Sequence, residues 1–273
     1  MVCYRHPDRE AAVRCQRCER LICPQCQVEA SVGFLCPECA GGTQRQVTQQ
    51  RVRASRGSTS ITTLLIAINV LVWVPEYFAK SASWWVGYMS QIVLMPANVP
   101  NAPWTLVTSG FAHDWNSPLH LAVNMYSLFI FGQAVEPLLG RARYLALYMI
   151  SLLAGGVGVM WLGSATGQTV GASGAIFGLM GAYAVFLRTL GQPSGQMLGL
   201  IAFNLVFGFF TSGISWEGHI GGLVGGGIVA WIYAQTRKPQ QQSLQVLALV
   251  GVTVLLVVAA IVRAGQFTTI FVY

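Results

Sequence analysis

Residues 171–178, Gly171-Ala-Ser-Gly-Ala-Ile-Phe-Gly178, begin an apolar run that ends at Arg188. A run of this length can form a helix that crosses a bilayer. Ser173 stands in it between residues without bulk, so a substrate carbonyl could reach its hydroxyl. A serine needs a base to act as a nucleophile, and the usual base is a histidine. The pattern therefore raises the hypothesis of a serine and a histidine on separate membrane helices.

The whole chain has the composition of a membrane protein. Its 273 residues are 54% hydrophobic and 9% charged, whereas a soluble domain carries about 25% charged residues. With several apolar runs of about 20 residues, this predicts an all-α polytopic membrane protein. The net charge of +7 does not favour nucleic-acid binding, because the basic residues lie early in the chain or beside apolar runs. No cleavable signal peptide is expected, since the first apolar run follows about 60 polar residues.

All seven cysteines lie before residue 40 and form, with one histidine, pairs of two-residue spacing. The pairs are Cys3/His6, Cys15/Cys18, Cys23/Cys26 and Cys36/Cys39. This spacing lets both members of a pair ligate one tetrahedral ion, so residues 1–42 are predicted to bind two structural zinc ions. About 40 residues cannot bury enough core to fold unaided, and metal binding would supply the folding free energy. Disulfides are disfavoured by the odd cysteine count and by the cytoplasmic location assigned below.

The spacing leaves the grouping of these pairs open. We favour an interleaved arrangement, whose pattern resembles B-box-type zinc fingers, and sequential sites are the alternative. In the interleaved arrangement one ion is held by Cys3, His6, Cys23 and Cys26, and the other by Cys15, Cys18, Cys36 and Cys39. Every site is then fully ligated, which favours a structural role, or binding of a cytoplasmic protein partner, over catalysis.

Seven apolar spans are predicted after a basic linker, residues 43–60. They lie at about 61–78, 119–136, 144–162, 171–188, 197–210, 218–234 and 244–262. The linker arginines are Arg45, Arg51, Arg53 and Arg56. With these in the cytoplasm, basic residues flank nearly every inner end, and only Lys80 and Arg263 fall outside. The loop of about 40 residues before Pro118 is aromatic and almost uncharged, so we expect it to lie in the outer membrane interface.

This topology places three polar residues at one depth. His120, Ser173 and His219 lie near the starts of the second, fourth and sixth spans, which all run from outside to inside. Ser173 and His219 would form a nucleophile and its base, and no acidic residue is placed to complete a triad. His120, Asn124 one turn later and the backbone N–H of Ser173 would donate hydrogen bonds to the oxyanion.

Glycine spacing predicts that the fourth and sixth spans pack closely. Glycines lie at i+3 and i+7 from His219, and a second stripe follows Ser173. These residues are Gly222 and Gly226, and Gly174, Gly178 and Gly181. Such spacing lets two membrane helices approach, as a serine oxygen and an imidazole nitrogen must to meet at about 2.6–3.2 Å.

Taken together, the motifs resemble those of the rhomboid family of intramembrane serine proteases. They are Gly171-Ala-Ser-Gly174, His120-x-x-x-Asn124, Gly218-His219-x-x-Gly222-x-x-x-Gly226 and the structural pattern Gly132-x-x-x-Glu136. The resemblance covers about residues 60–235 and implies a six-helix core at 61–238, with residues 239–273 as a seventh-helix addition. Trp104 is followed by Thr105, where the family commonly has arginine, and this departure concerns the outer loop.

The resemblance also implies the chemistry. It implies cleavage of membrane protein substrates within or beside a transmembrane helix, with Ser173 as nucleophile, His219 as general base and no catalytic cofactor. His120, Asn124 and Gly171 would serve the oxyanion, and substrate would enter beside the outer loop and the fifth span. The expected location is the plasma (inner) membrane of a bacterium, with the N terminus in the cytoplasm.

Two rival functions stay open. One is a catalytically silent rhomboid-like protein that binds membrane clients, although such members usually lack the serine or the histidine. The other is a transporter that uses the intramembrane histidines as a proton relay.

Overall fold

The fold is that of a computed structural model, which describes residues 2–16, 18–29, 34–40, 60–79, 84–211 and 213–270. The chain forms two compact units, Met1–Thr59 and Ser60–Tyr273. The arginines of the predicted linker and Lys80 lie outside the described residues.

The first unit is built on two short antiparallel hairpins. Strand β1 (Val13–Arg14) pairs with β2 (Leu21–Ile22), and β3 (Val28–Glu29) pairs with β4 (Phe34–Leu35). Its interior consists mainly of cysteines around Ile22, which is fully buried. A core this small offers too little apolar area to hold the fold, as expected of a domain stabilised by metal ions.

The second unit is a bundle of long helices. Its helices are α1 (Ile61–Ala79), α2 (Trp85–Ser90), α3 (Thr105–Thr108), α4 (Pro118–Leu139), α5 (Arg141–Leu162), α6 (Ser173–Thr189), α7 (Gly195–Phe210), α8 (Trp216–Gln235) and α9 (Gln242–Ile270). The long helices coincide with the predicted spans, which confirms the all-α fold class. Proline begins α4, and glycines of positive φ follow α4 and α6, at Gly140 (76°) and Gly191 (68°), as helix chemistry favours.

Length and composition distinguish the helices. Among the described residues, Ile61–Phe78, Arg141–Leu162 and Pro239–Phe267 are long and apolar enough to cross a membrane, and α6 and α7 are apolar but shorter. Within those spans 61% of Arg141–Leu162 is buried, against 11% of Pro239–Phe267. Helix α5 therefore lies inside the bundle and α9 on its outside. The remaining long helices, α4 and α8, carry His120, Asn124 and His219.

Glycine faces bring α5, α6 and α8 into close contact. A Cβ atom added at Gly222 would overlap the carbonyl oxygen of Gly174, so the predicted contact between the fourth and sixth spans is present. A third glycine face, on α5, was not predicted. There a Cβ atom at Gly158 would lie 2.6 Å from the carbonyl oxygen of Glu217. Backbones this close let short side chains on α6 and α8 meet.

The pattern Gly132-x-x-x-Glu136 docks the start of α1 against α4. The carboxylate of Glu136 accepts hydrogen bonds from the backbone N–H groups of Ile61 and Thr62, at 2.8 and 3.0 Å, and from the hydroxyl of Ser60, at 2.6 Å. These N–H groups have no partner within the helix, so Glu136 caps α1. A side chain at Gly132 would collide with Thr62.

The outer loop, residues 84–117, is folded on itself. The indole N–H of Trp104 donates to the carbonyl of Gln91 at 2.8 Å. Next to it, the fully buried Thr105 donates its hydroxyl to the carbonyl of Ala102 at 2.6 Å. A threonine thus closes a local turn at the position where the family commonly has arginine.

The same loop is tied to the segment that precedes α6. Leu94 and Thr169 exchange backbone hydrogen bonds of 3.2 and 2.9 Å in an isolated antiparallel bridge. The N–H of Gly171 donates to the carbonyl of Ser109 at 2.9 Å. These bonds fix the backbone just before Ser173.

Candidate active site and metal centres

A cavity of about 690 Å³ lies between the outer loop and helices α4, α6, α7 and α8. Its walls include Ser173 and His219 together with His120 and Asn124. Gly171 lies against His120 at the same place. The structure therefore brings together the five membrane residues that the sequence singled out, although they come from three helices and a loop.

Ser173 and His219 are in hydrogen-bond contact in this cavity. The Nε2 atom of His219 is 2.9 Å from the Oγ atom of Ser173, within the range that proton transfer requires. The imidazole is 8% exposed and stacks on Phe177, with ring centroids 4.1 Å apart and planes 15° apart. Phe177 lies one helical turn after Ser173, so α6 supplies both the hydroxyl and the surface that orients the imidazole. Sequence analysis missed Phe177, although its i+4 spacing was visible.

The second nitrogen of the imidazole has no acid beside it. Nδ1 of His219 has no hydrogen-bond partner among the described residues, and its neighbour is Gly208 of α7, whose added Cβ atom would lie 3.5 Å away. Glu217 instead accepts a hydrogen bond from the hydroxyl of Ser215, at 3.1 Å, beside the start of α8. The geometry is that of a pair, without a third, charged member.

Ser173 is the first residue of α6. The first N–H groups of a helix have no partner within it, and they carry the positive end of the helix dipole. Gly171, two residues earlier, has a φ of 119°, which L side chains rarely adopt. A Cβ atom there would also lie 3.0 Å from the imidazole of His120. Only glycine meets both conditions at this position.

The protonation of His120 follows from its hydrogen bond. Its Nδ1 atom accepts the backbone N–H of Asp114 at 3.2 Å, so in the neutral imidazole the proton resides on Nε2. Nε2 and the adjacent Cε1 are the ring atoms next to Gly171, 3.1 and 3.0 Å from the position of an added Cβ atom. The side-chain amide of Asn124 donates one N–H to the backbone carbonyl of His120 at 2.9 Å. The N–H of His120 thus lies on the side of the ring next to Gly171, and His120 and Ser173 line the same cavity.

Two clusters in the first unit could hold metal ions. One consists of Cys3, His6, Cys23 and Cys26, and the other of Cys15, Cys18, Cys36 and Cys39. This is the interleaved grouping. Ligand atoms within a cluster lie within 4.8 Å of one another. All seven cysteines are among the described residues, and none of them forms a disulfide.

The distances suit tetrahedral zinc. A Zn–S bond of about 2.3 Å implies sulfur atoms about 3.8 Å apart around a tetrahedron, and Cys18 and Cys36 have their Sγ atoms 3.7 Å apart. Nδ1 of His6 lies 3.5 and 3.4 Å from the sulfurs of Cys23 and Cys26. The backbone N–H of Cys36 donates to the sulfur of Cys15 at 3.2 Å, as is common around metal-bound thiolates.

The membrane unit is similar in sequence to known proteins of one family. The family model described as "Rhomboid domain" matches residues 100–236. YdcA of Bacillus subtilis (strain 168), whose name describes it as a rhomboid protease, is 30% identical to this chain over 184 residues. These residues are 65% of this chain and 90% of YdcA. Rhomboid protease GluP of the same organism is 37% identical over 131 residues, 45% of this chain and 24% of GluP. Rhomboid protease AarA of Providencia stuartii is 26% identical over 223 residues, 68% of this chain and 76% of AarA.

The family match spans half of the chain and includes Ser173, His219, His120, Asn124 and Gly171. The long apolar helices make the chain an integral membrane protein. The chain therefore belongs to the rhomboid family and is a rhomboid-type intramembrane serine protease.

Proposed function

We propose that this protein cleaves a peptide bond within or near a transmembrane helix of its substrates by a Ser173–His219 dyad. The contact of 2.9 Å between Oγ and Nε2 carries this proposal. During attack, His219 takes the hydroxyl proton while the serine oxygen bonds to the carbonyl carbon. The C–N bond then breaks, and the proton passes to the leaving amine. Water next attacks the acyl-enzyme, gives a proton to His219 and releases the carboxylic acid and the serine.

The oxyanion would be stabilised by preorganised donors on the opposite side of the serine. The backbone N–H groups at the start of α6 and the Nε2–H of His120 would donate to it, with Asn124 beside them, because Ser173 begins α6 and His120 accepts at Nδ1. Gly171 lets the backbone and the imidazole approach each other. Fixed donors in a site of restricted water access are worth more than the same donors in bulk water.

The substrates would be membrane proteins whose helix unwinds into this cavity. Its wall between α4 and α7 is lined by Val123, Asn204 and Phe207, so an extended segment could enter between these helices beside the outer loop. Water would reach Ser173 from the outer face. Candidate clients are therefore single helices with a cleavable segment close to the outer leaflet.

The orientation we propose puts the first unit in the cytoplasm of a bacterium, with the bundle in its plasma membrane. Arg141 and Arg143 lie in the first turn of α5, and Arg188 lies in the last turn of α6. Arg237 and Lys238 follow the end of α8. All these positions lie at the same end of alternating helices, which the positive-inside rule assigns to the cytoplasm.

The two metal clusters would each hold a structural zinc ion. All four positions around each ion would be occupied by protein ligands, which leaves no site for substrate. The resulting domain would bind a cytoplasmic protein partner.

Cleavage of a reporter transmembrane substrate in liposomes tests the dyad. Ser173→Ala and His219→Ala should each lower kcat by about 10⁴-fold or more, and Ser173→Ala should abolish labelling by a fluorophosphonate. Ser194→Ala, a serine at the start of α7 outside the cavity, is the matched control and should retain both activities. Cleavage that survives in Ser173→Ala would remove the dyad, and inactive wild-type enzyme that still binds substrate would favour the silent member. Proton flux that persists in Ser173→Ala would favour the transporter.

A further inference from the structure

A buried carboxyl group lies at the outer end of α1. Glu76 is fully buried, and its Oε2 atom accepts the backbone N–H of His113 at 3.2 Å. One turn earlier on α1, the indole N–H of Trp73 donates to the carbonyl of Asp114 at 3.0 Å. Helix α1 therefore holds two consecutive residues of the outer loop by their backbones.

The loop residues held in this way determine the state of His120. The N–H of Asp114 donates to Nδ1 of His120 at 3.2 Å. Because an N–H can only donate, this bond keeps the lone pair on Nδ1 and the proton on Nε2, which lies with Cε1 on the edge of the ring next to Gly171. If the Asp114 backbone shifted, the other tautomer would become accessible, and it would present a lone pair to the developing oxyanion.

Glu76 makes fewer hydrogen bonds than would be expected if it served only to anchor a helix. Its Oε1 atom and both imidazole nitrogens of His113 have no hydrogen-bond partner among the described residues. By contrast, Glu136, which caps the start of α1, accepts four hydrogen bonds. Burying an unsatisfied carboxyl group costs stability. Ionisable residues kept inside membrane helices at such a cost usually serve function.

We propose that Glu76 is a positioning residue for the oxyanion donor. Through the backbone of His113 and Asp114 it holds His120 with the proton on Nε2, beside Gly171 in the cavity that Ser173 also lines. Trp73 acts on the same two residues from the carbonyl side. The inference rests on the proposed function, because it gives Glu76 a role only if His120 stabilises the oxyanion.

Substitutions at Glu76 test this role by kinetics. Glu76→Leu removes the acceptor and should lower kcat by about 10-fold or more with KM within about twofold, because an oxyanion contact forms only in the transition state. Glu76→Gln keeps an acceptor oxygen and should stay within about threefold of wild type. Glu136→Gln is the matched control: it should lower the melting temperature while kcat per folded enzyme stays within about twofold.

A double-mutant cycle with His120 separates positioning from a general structural effect. In a His120→Ala background, Glu76→Leu should lower kcat by no more than about twofold, because residues that act through one contact are not additive. Fold losses that multiply, or an effect on KM alone, would overturn the inference. If Glu76→Leu does not fold, Trp73→Phe makes the same test, because phenylalanine keeps an aromatic ring and removes the indole N–H.

The cycle also distinguishes this inference from the function beneath it. If His120→Ala keeps full kcat while Ser173→Ala is inactive, the dyad stands, His120 is not the oxyanion donor and the role of Glu76 is refuted. If His120→Ala is impaired but Glu76→Leu and Trp73→Phe are not, only the inference about Glu76 fails.

Discussion

At the scale of single residues, Gly171 must lack a side chain for two reasons, its backbone conformation and its contact with the active site. Its φ of 119° and the contact with His120 both exclude a side chain. Gly171→Ala should lower kcat by about 100-fold or more, because the added carbon displaces the donor that faces the oxyanion. Gly167→Ala in the same loop is the control. Its Cβ atom would meet only Ser164 at 3.4 Å, so normal cleavage is expected. Equal losses in both variants would contradict this account.

His113 makes stability depend on pH. Burial, and then the imidazole of His120 with ring centroids 5.3 Å away, lower the pKa of His113 to about 3. The native state therefore keeps His113 neutral below pH 6.5, where the unfolded state takes up a proton. Its contribution is fully present above the unfolded pKa and is lost as the pH falls, by about 1.4 kcal/mol per pH unit.

Denaturant titration in detergent between pH 7.5 and pH 5 checks this sign. Wild type should lose about 2 kcal/mol more than His113→Phe over this range. The stability of His113→Phe should match or exceed that of wild type at pH 7.5, because the substitution removes two buried nitrogens that have no hydrogen-bond partner in the described part of the chain. The same loss in both proteins would assign the acid sensitivity to groups other than His113.

At the scale of helices, the contact between α6 and α8 sets the distance between nucleophile and base. Gly222→Ala would force the carbonyl of Gly174 away, and Gly174 follows Ser173 directly. A shift of about 1 Å is enough to lower kcat by about 100-fold. Gly227→Ala, on the same helix with nothing within 4 Å of its Cβ atom, should be neutral in kcat and melting temperature. Normal cleavage by Gly222→Ala would show that the contact can relax without moving the dyad.

Helix α9 carries Arg263, one of the basic residues that the predicted topology places on the outer side, and its contacts account for that position. The Nε atom of Arg263 donates to the carbonyl of Met160 at 2.9 Å, near the end of α5. Its guanidinium also lies over the rings of Trp161 and Phe267, at 5.7 and 4.7 Å. The carbonyls at the end of a helix lack partners and carry negative partial charge. Arg263 is therefore a cap for α5 supplied by α9.

Loss of this cap should destabilise the bundle. Arg263→Gln should lower the free energy of unfolding by about 2 kcal/mol, which corresponds to a melting temperature lower by about 4–8 °C. The exposed Arg237→Gln is the control, and it should change the melting temperature by less than about 1 °C. An unchanged melting temperature in Arg263→Gln would mean that α9 packs independently of this residue.

Helix bounds were readable from the sequence because long apolar runs and flanking arginines carry the signal. The short helices α2 and α3 were not predicted, since segments of 6 and 4 residues show no periodicity. The meeting of Ser173 with His219 followed from equal depth. The link from Glu76 to His120 passes through backbone atoms of the outer loop, and no spacing in the sequence encodes such a contact.

At the scale of the whole molecule, the chain joins a unit held by apolar packing to one that would be held by metal ions. Hydropathy and cysteine spacing separate the two in the sequence. What spacing cannot supply is the grouping of cysteine pairs, because that depends on how the hairpins fold back. Strands β1 and β2 carry the chain from one cluster to the other, so Cys15 and Cys18 belong to one cluster and Cys23 and Cys26 to the other.

The grouping can be tested by zinc content in the full chain. Wild type should contain about two zinc ions per chain. Replacing Cys15, Cys18, Cys36 and Cys39 by serine removes all ligands of one cluster and should leave about one zinc ion. Replacing Cys23, Cys26, Cys36 and Cys39 by serine removes two ligands from each cluster and should leave no zinc ion, although the same number of thiols is lost. Sequential sites would give the reverse pattern, because the second set would then form a single site. Zinc-free protein in all three cases would show that the thiols serve another purpose.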